Sequence, residues 1–229
     1  MTAALLSALC SRGLGAGLEV WSRLYYPMFH SHITGRPAYH ADPFLSEQPM
    51  AELVSRVSAD ADCAVFEGNG FYDGIGQTDQ ASAYTVSQWL KIPVLLVVNP
   101  KGMGCSATAL CHGFQTFRTP NSICGILLND IRSGMYNYYR ELLERETGLP
   151  VLGYLPHLPE VQLESRHLGL MTAGERWNSW TKRYACWEKP PQRPWNFPVS
   201  GTGENSAAAA GCAAVYDETK AVSAWRGTG

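Results

Sequence analysis

Two carboxylates in a glycine-rich loop are the residues of this sequence best suited to chemistry. Glu67 and Asp73 lie in the segment EGNGFYDGIG, where Gly70 and Gly74 leave the backbone free to approach a ligand. A carboxylate at the end of a strand is suited to holding Mg²⁺ beside a nucleotide, directly or through water. A second carboxylate nearby can bind the metal, orient a substrate or take a proton. The alternative interpretation is a turn whose acidic side chains are solvated.

Three further polar residues follow other apolar runs. Asn129 ends the run SICGILLN, where its amide can pair with a donor and an acceptor on an adenine edge, or can instead cap the following helix. Lys101 and Ser106 belong to NPKGMGCSA, a loop that enters a helix. A lysine beside a helix N-terminus favours anions. These residues are therefore candidates for holding a nucleotide base and an anionic substrate.

The elements that must position these residues alternate between strand and helix patterns. Four short apolar runs, at 62–67, 94–98, 123–128 and 151–154, alternate with helical patterns at 49–59, 80–91, 106–117 and 135–148. Continuous apolar runs separated by helices predict an α/β fold, a doubly wound parallel sheet in which the four runs are neighbours. Ligands bind beyond the carboxyl ends of such strands. We therefore expect Glu67, Asn99 and Asn129 on one side of the sheet.

Bulk composition excludes several classes of protein. The 229 residues are 45% hydrophobic and 17% charged, with a formal net charge of −2, which is typical of a globular chain with no nucleic-acid partner. No apolar run is long enough for a bilayer, and the N-terminus lacks the basic segment of a signal peptide. Seven cysteines without a C-x-x-C pair predict core thiols in a reducing cytoplasm. His30, His32 and His40 are too loosely spaced to predict a metal site.

Six segments resemble, in order and spacing, the cobyrinic acid a,c-diamide synthase family, in its cobyrinic and hydrogenobyrinic acid versions. They are PMFHSHITGRPAYHADPFL, EG-x-G-x-YDG, PVLLVVNPKGM..SA, GILLND, GLPVLGYLP and LESRHLGL, and together they lie within residues 27 to 175. The resemblance implies a sheet of the phosphate-loop NTPase type. It also implies ATP- and glutamine-dependent amidation of the a and c carboxylates of a corrin precursor in cobalamin biosynthesis.

The resemblance implies a role for each candidate residue. Glu67 and Asp73 correspond to the catalytic acids around Mg-ATP and the corrin carboxylate, with Glu67 as the Mg²⁺ ligand. Asn129 corresponds to an asparagine on the adenine side of the nucleotide. The implied substrate-binding residues are Tyr72, Gly74, Lys101 and Ser106. The implied partners are a small-molecule corrin and glutamine or ammonia, without nucleic acid or membrane, and with a homodimer as the candidate assembly.

The sequence also departs from the family. No G-x-x-x-x-G-K-[ST] motif occurs in it, and the EGNGFYDG loop is one residue shorter than the usual version. In the family that motif precedes the helix that MTAALLSALCSRGL resembles. We therefore expect an N-terminally truncated sheet without its phosphate loop, and no C-terminal glutaminase domain. The chain as written should not perform the reaction.

Two stretches differ from the family in a way that a shifted reading frame explains. Residues 19–26, EVWSRLYY, can encode KCGPDYI when the codons are read one base out of register, and residues 176–198 can encode a helix-patterned string. We therefore divide the chain into a partial synthetase domain, 1–175, and an irregular tail, 176–229, whose stretch 177–229 should make few contacts with the sheet. A divergent paralogue with a disordered tail is the alternative.

Two other functions remain open from the sequence. One is a non-catalytic module that binds a corrin or a nucleotide, which corrin binding without ATP turnover would favour. The other is a different enzyme of the same superfamily, either another tetrapyrrole amide ligase or a carboxylase that resembles dethiobiotin synthetase. The segments ESRHLGL and HITGRP count against the dethiobiotin type.

Overall fold

The helices and strands are taken from a computed structural model, which describes residues 2–10, 17–20, 26–42, 44–59, 61, 63–68, 70–157, 214–215 and 221–225. The helices are α1 (Thr2–Cys10), α2 (Tyr26–Thr34), α3 (Glu47–Val57), α4 (Ala83–Trp89), α5 (Ser106–Thr116) and α6 (Tyr136–Thr147). The strands are β1 (Gly17–Val20), β2 (Tyr39–Ala41), β3 (Ala64–Gly68), β4 (Val94–Val98), β5 (Ile123–Ile131), β6 (Val151–Pro156), β7 (Ala214–Val215) and β8 (Ala221–Trp225). No helix in these ranges is both long and apolar enough to cross a bilayer.

The strands form one sheet whose long parallel part is β4, β5 and β6. The strand order is β2-β1-β3-β7-β4-β5-β6, and β8 pairs with β3 and β4. Strand β4 is in register with β5 from Leu95 opposite Gly125 to Val98 opposite Leu128. No antiparallel pairing joins any two of β3, β4, β5 and β6. The predicted parallel α/β sheet is therefore confirmed.

The core lies on both faces of the sheet, which explains the continuous apolar runs. All five residues of β4 are buried. Leu96 and Val98 pack in one cluster with α5 and α6, whereas the alternate residues Leu95 and Val97 pack against Leu5 and other apolar residues of α1. Full burial of one such side chain stabilises the fold by roughly 1.5–3 kcal/mol. A strand with two buried faces cannot alternate polar and apolar residues, so its sequence is apolar throughout.

The prediction that β3 and β4 are direct neighbours is wrong. Strands β7 and β8 lie between them, in what we call the central gap. Strand β7 is parallel to both β3 and β4, and β8 is antiparallel to both. The parallel links through β7 still give β3 and β4 the same direction.

The prediction that residues 177–229 make few contacts with the sheet is wrong for β7 and β8. Val215 pairs with both Glu67 and Leu95, and Trp225 pairs with Ala64. The prediction rested on the lack of an apolar period in these residues. Backbone N–H and C=O groups at the edges of two buried strands need hydrogen-bond partners whatever the side chains are, and an extended segment supplies them. The shifted-frame hypothesis stays a hypothesis.

Candidate functional site

The parallel strands bring the predicted polar residues to one edge of the sheet. Glu67 is the penultimate residue of β3, Asn99 follows β4 directly, and Asn129 lies near the end of β5. Because these strands run in the same direction, their carboxyl ends lie at the same edge. The expected placement of the three residues is confirmed. Whether they bind a ligand stays a prediction.

Glu67 is a buried carboxylate that faces a buried histidine. The Glu67 side chain is 6% exposed and that of His30, on α2, is 4% exposed. The Nε2 atom of His30 lies 3.4 Å from Oε2 of Glu67. A buried carboxylate requires a polar or cationic neighbour, because an isolated charge in a low-dielectric interior is very costly.

The position of Asp73 depends on a glycine that precedes it. Gly70 has a φ of +69°, and a Cβ atom built on it would lie 2.9 Å from Cγ of Asp73 and closer still to Oδ2. The carboxylate of Asp73 thus lies over the backbone of Gly70, on the exposed side of the loop. Only a residue without a Cβ atom allows this approach at this φ.

We expect Gly70→Ala to displace the Asp73 carboxylate and to lower the free energy of unfolding by about 1–2 kcal/mol, the cost of a left-handed alanine. Gly35→Ala is the matched control, because Gly35 has a φ of +66° and no atom within 4 Å of its built Cβ. Both variants should lose similar stability in urea unfolding. Only Gly70→Ala should shift the Asp73 Cγ resonance in ¹³C NMR, and an unchanged resonance would contradict this account.

Gly74, a predicted substrate-binding residue, lies within a tight turn. Its N–H donates to the carbonyl oxygen of Thr78 at 3.0 Å, and Ile75 N–H donates to the carbonyl oxygen of Gln80 at 2.9 Å. A Cβ on Gly74 would lie 2.8 Å from the Thr78 carbonyl oxygen and closer to that of Gln80. The backbone of residues 78–80 therefore occupies the space beside Gly74. A substrate contact through Gly74 stays a prediction.

Tyr72, also predicted to bind substrate, belongs to an aromatic cluster. Its ring stacks on Phe114 with centroids 5.8 Å apart and planes 13° from parallel. Its hydroxyl donates to the carbonyl oxygen of Phe114 at 2.5 Å and accepts from Nδ2 of Asn121 at 2.9 Å. Burial raises the pKa of Tyr72 to about 12, although the Asn121 hydrogen bond opposes that rise. These contacts tie the Asp73 loop to the end of α5.

Tyr72→Phe should lower the free energy of unfolding at pH 8 by about 1 kcal/mol, because a net hydrogen-bond contribution is lost. The Tyr72 pKa is raised in the folded chain, so this residue stabilises the fold fully below pH 10, the ordinary tyrosine pKa, and less as the pH rises towards 12. The stability gap between wild type and Tyr72→Phe should therefore narrow from pH 8 to pH 11 in urea titrations. A stability difference that widens over this pH range would contradict a raised pKa for Tyr72 in the folded chain.

The loop after β4 carries Lys101 and Ser106 and is held by a buried tyrosine. The Tyr139 hydroxyl lies 3.0 Å from the carbonyl oxygen of Pro100 and 2.8 Å from that of Met103, and it donates to this pair. Lys101 N–H donates to Oδ1 of Asn99 at 3.2 Å. The side chains of Lys101 and Ser106 are exposed, and Ser106 begins α5. The loop is thus fixed while its polar side chains face outward.

Near the end of β5, the residue directly after Asn129 has a left-handed backbone conformation. Asp130 has a φ of +57°, and the pairing of β5 with β6 is irregular between Asn129 and Ile131. The carboxylate of Asp130 contacts Nδ1 of His157, which follows β6. Such an irregularity redirects side chains at the end of a strand. Asn129 itself is half-buried.

Sequence reasoning missed His30 as a neighbour of Glu67 and missed the pair formed by Asp130 and His157. The histidine spacing in residues 30–40 gave no signal, because His30 meets Glu67 only through the packing of α2 against the sheet. The order of the strands could have suggested the second pair, since Asp130 and His157 each follow one of two adjacent strands.

The acidic residues suit a magnesium ion that a nucleotide also binds. Among the residues that the structure describes, no group of three or more His, Cys, Asp or Glu side chains could hold a metal ion. Mg²⁺ is commonly bound by one or two carboxylates together with phosphate oxygens and water rather than by a cage of protein ligands. A single strand-end carboxylate such as Glu67 fits that donor set.

Residues 39–165 match the family described as AAA domain. The chain is 37% identical over 177 residues to a cobyrinate a,c-diamide synthase of Streptococcus sanguinis, which covers 75% of this chain and 39% of that protein. It is 36% identical over 181 residues to the enzyme of the same name from Priestia megaterium, covering 77% and 39%.

A hydrogenobyrinate a,c-diamide synthase of Mycobacterium bovis is 38% identical over 156 residues, which is 65% of this chain and 34% of that protein. The chain thus spans about two-fifths of the length of the curated relatives it matches. These matches confirm both resemblances predicted from the sequence, the one to a,c-diamide synthases and the one to the phosphate-loop type of α/β sheet.

Proposed function

Because the chain belongs to the AAA domain family, whose pattern matches residues 39–165, we propose that it is part of an ATP-dependent ligase domain that amidates a corrin precursor. It is the part that contains the carboxyl ends of the parallel strands. The observation that carries this proposal is the similarity to a,c-diamide synthases over three-quarters of the chain. The strand-end edge with Glu67, Asn99 and Asn129 supports it, because ligands bind at that edge in open α/β sheets.

The proposed reaction has two steps. An oxygen of a corrin side-chain carboxylate attacks the γ-phosphorus of ATP, the bond to the β–γ bridging oxygen breaks, and ADP leaves. Ammonia from glutamine then attacks the carbon of the acyl phosphate, a C–N bond forms, and phosphate leaves with loss of a proton. Bound Mg²⁺ would offset the negative charge of the transferring phosphoryl group.

Each residue then has a role in positioning. Glu67 would hold the magnesium ion, and Asp73 would face the substrate carboxylate from the exposed side of the same loop. Asn129 would pair with the adenine edge at the end of β5. Lys101, exposed in the loop before α5, and Ser106, exposed at the start of α5, would hold the anionic corrin side chain, since a lysine and a helix N-terminus both favour negative charge.

Two roles follow from contacts rather than from the strand-end edge. Tyr72 would act through its ring, because its hydroxyl already bonds to Phe114 and Asn121. Gly74 would act by allowing the turn at residues 74–80 to form.

The proposal is tested in a chain to which a phosphate loop has been added, since no such motif occurs within residues 1–229. A chain extended with the upstream strand and G-x-x-x-x-G-K-[ST] loop of a relative, and with KCGPDYI in place of residues 19–26, should bind Mg-ATP and amidate cobyrinic acid. Corrin binding by that chain without ATP turnover would instead favour a non-catalytic binding module. Amidation of another tetrapyrrole but not of cobyrinic acid would favour a different amide ligase.

A further inference from the structure

His30 and Glu67 form a buried polar pair that the proposed reaction does not explain. Their side chains are 4% and 6% exposed, which is far less than the other pairs between a histidine or arginine and an acid in the described residues. Burying a histidine and a carboxylate costs solvation free energy, whereas burying two apolar side chains does not. An apolar pair at this point could not contact a cation.

The pair joins two elements that are far apart in the sequence. His30 lies on α2, and the end of α2 is fixed by local hydrogen bonds. The hydroxyl of Thr34 donates to the carbonyl oxygen of His30 at 2.9 Å, and Ala38 N–H donates to Oγ of Ser31 at 2.8 Å. The imidazole is therefore attached to a fixed helix end, and Glu67 to a central strand. Neither partner needs to reorganise to keep the contact.

One of the two oxygens of the Glu67 carboxylate lies next to the His30 ring. Nε2 of His30 lies 3.4 Å from Oε2 of Glu67. Oε2 is buried and accepts no hydrogen bond from the residues that the structure describes, so the imidazole acts on the carboxylate by its close approach, which limits rotation about the last torsion angle of Glu67. The other oxygen, Oε1, then keeps one orientation. Carboxylates that bind metal ions are themselves commonly contacted by a second polar group, which sets the orientation of the ligand.

We propose that His30 is a positioning residue that holds the Glu67 carboxylate in the orientation needed to bind a divalent cation. This inference rests on the proposed function, because it takes Glu67 as the metal ligand. It adds α2 to the set of elements that form the site. His30 acts through Glu67 and touches neither nucleotide nor corrin.

The test uses Mn²⁺ alone with the 229-residue chain, followed by EPR. Wild type should bind one Mn²⁺ that Glu67→Gln abolishes. His30→Leu should weaken that binding by about 10–100-fold, the usual effect of removing a partner that orients a metal ligand. His30→Gln, whose amide Nε2 can donate from a similar position, should bind nearly as well as wild type. His32→Gln, an exposed change on the same helix, is the matched control.

A second readout does not depend on metal and covers the case in which His30→Leu fails to fold. In ¹⁵N NMR of the metal-free chain, the His30 ring should carry its proton on Nε2, and Glu67→Gln should shift the His30 ring nitrogens while leaving those of His112 unchanged. Unshifted His30 nitrogens would overturn the inference.

The remaining outcomes are also decisive. Equal or tighter Mn²⁺ binding by His30→Leu would overturn the positioning role and leave the proposed function untouched. Absence of any Glu67-dependent Mn²⁺ binding in wild type would overturn both the inference and the metal role of Glu67. Amidation by the chain extended with a phosphate loop tests the proposed function independently.

Discussion

The purified 229-residue chain should hydrolyse no ATP above background, with Mg²⁺ present and with glutamine, ammonia or cobyrinic acid added. In phosphate-loop enzymes, backbone N–H groups and a lysine hold the β- and γ-phosphates. The sequence has no such motif. Loss of one preorganised donor commonly costs about 10²–10³ in rate, and here several donors and the lysine are absent together. Glu67 and Asp73 cannot replace them, because carboxylates repel phosphate.

The same assay on the chain extended with a phosphate loop tests the metal ligand. There Glu67→Gln should lower turnover by about 100-fold or more, since a neutral amide holds Mg²⁺ poorly. Glu52→Gln is the matched control, because Glu52 is an exposed residue of α3 and is not among the candidate site residues. Steady-state release of phosphate measures the turnover of both variants. Robust ATP-dependent amidation by the unextended 229-residue chain would show that its N-terminus has been misread.

Gly74→Ala should destabilise the chain by about 1–3 kcal/mol, the range for a side chain forced into filled space. A Cβ at this position overlaps backbone carbonyl oxygens, which cannot rotate away as a side chain can. The turn at residues 74–80 should open, and the amides of Gly74 and Ile75 should lose their protection from hydrogen exchange. Urea unfolding and exchange followed by NMR measure the two effects.

Gly113→Ala gives the opposite sign and serves as the control. Gly113 lies within α5, and no atom lies within 4 Å of its built Cβ. Alanine is the better helix former by roughly 1 kcal/mol, so this variant should be more stable than wild type. If both substitutions change stability in the same direction, the close packing around Gly74 is not the cause.

The sequence was sufficient to predict the elements whose signal is local. The run 94–98 is apolar in every residue, and it forms β4 with the same bounds. The helix predicted at 135–148 forms α6, which ends where Gly148 takes a φ of +69°. Runs with two buried faces and helices with a glycine stop carry their pattern within a few residues, so one sequence is enough to place them.

The contacts that define the candidate site could not be predicted in the same way. His30 meets Glu67 only because α2 packs near the end of β3, and no spacing in the sequence encodes that distance. Tyr72 lies within the glycine-rich segment EGNGFYDGIG, yet its hydroxyl bonds to Phe114, which lies 42 residues later. The shape of a glycine-rich loop predicts that it can approach a ligand, but it does not predict which of its side chains turn towards the core.

The pairing of β7 and β8 was missed for a different reason. It depends on which backbone groups of β3 and β4 remain to be paired once the other strands have formed, and that is a property of the assembled sheet. The pattern of side chains in residues 214–225 contains no information about it.

The central gap has a consequence for the order in which the chain folds. Strand β8 pairs with β3, so the middle of the sheet joins residues 64–68 to residues 221–225. Synthesis proceeds at roughly 5–20 residues per second, so β7 and β8 are made on the order of ten seconds after β3 and β4. During that time the nascent chain presents two apolar strand edges, which invite pairing with other chains. The sheet closes only after residues 221–225 have been made, and folding is slow because its central contacts join residues that are far apart in the sequence.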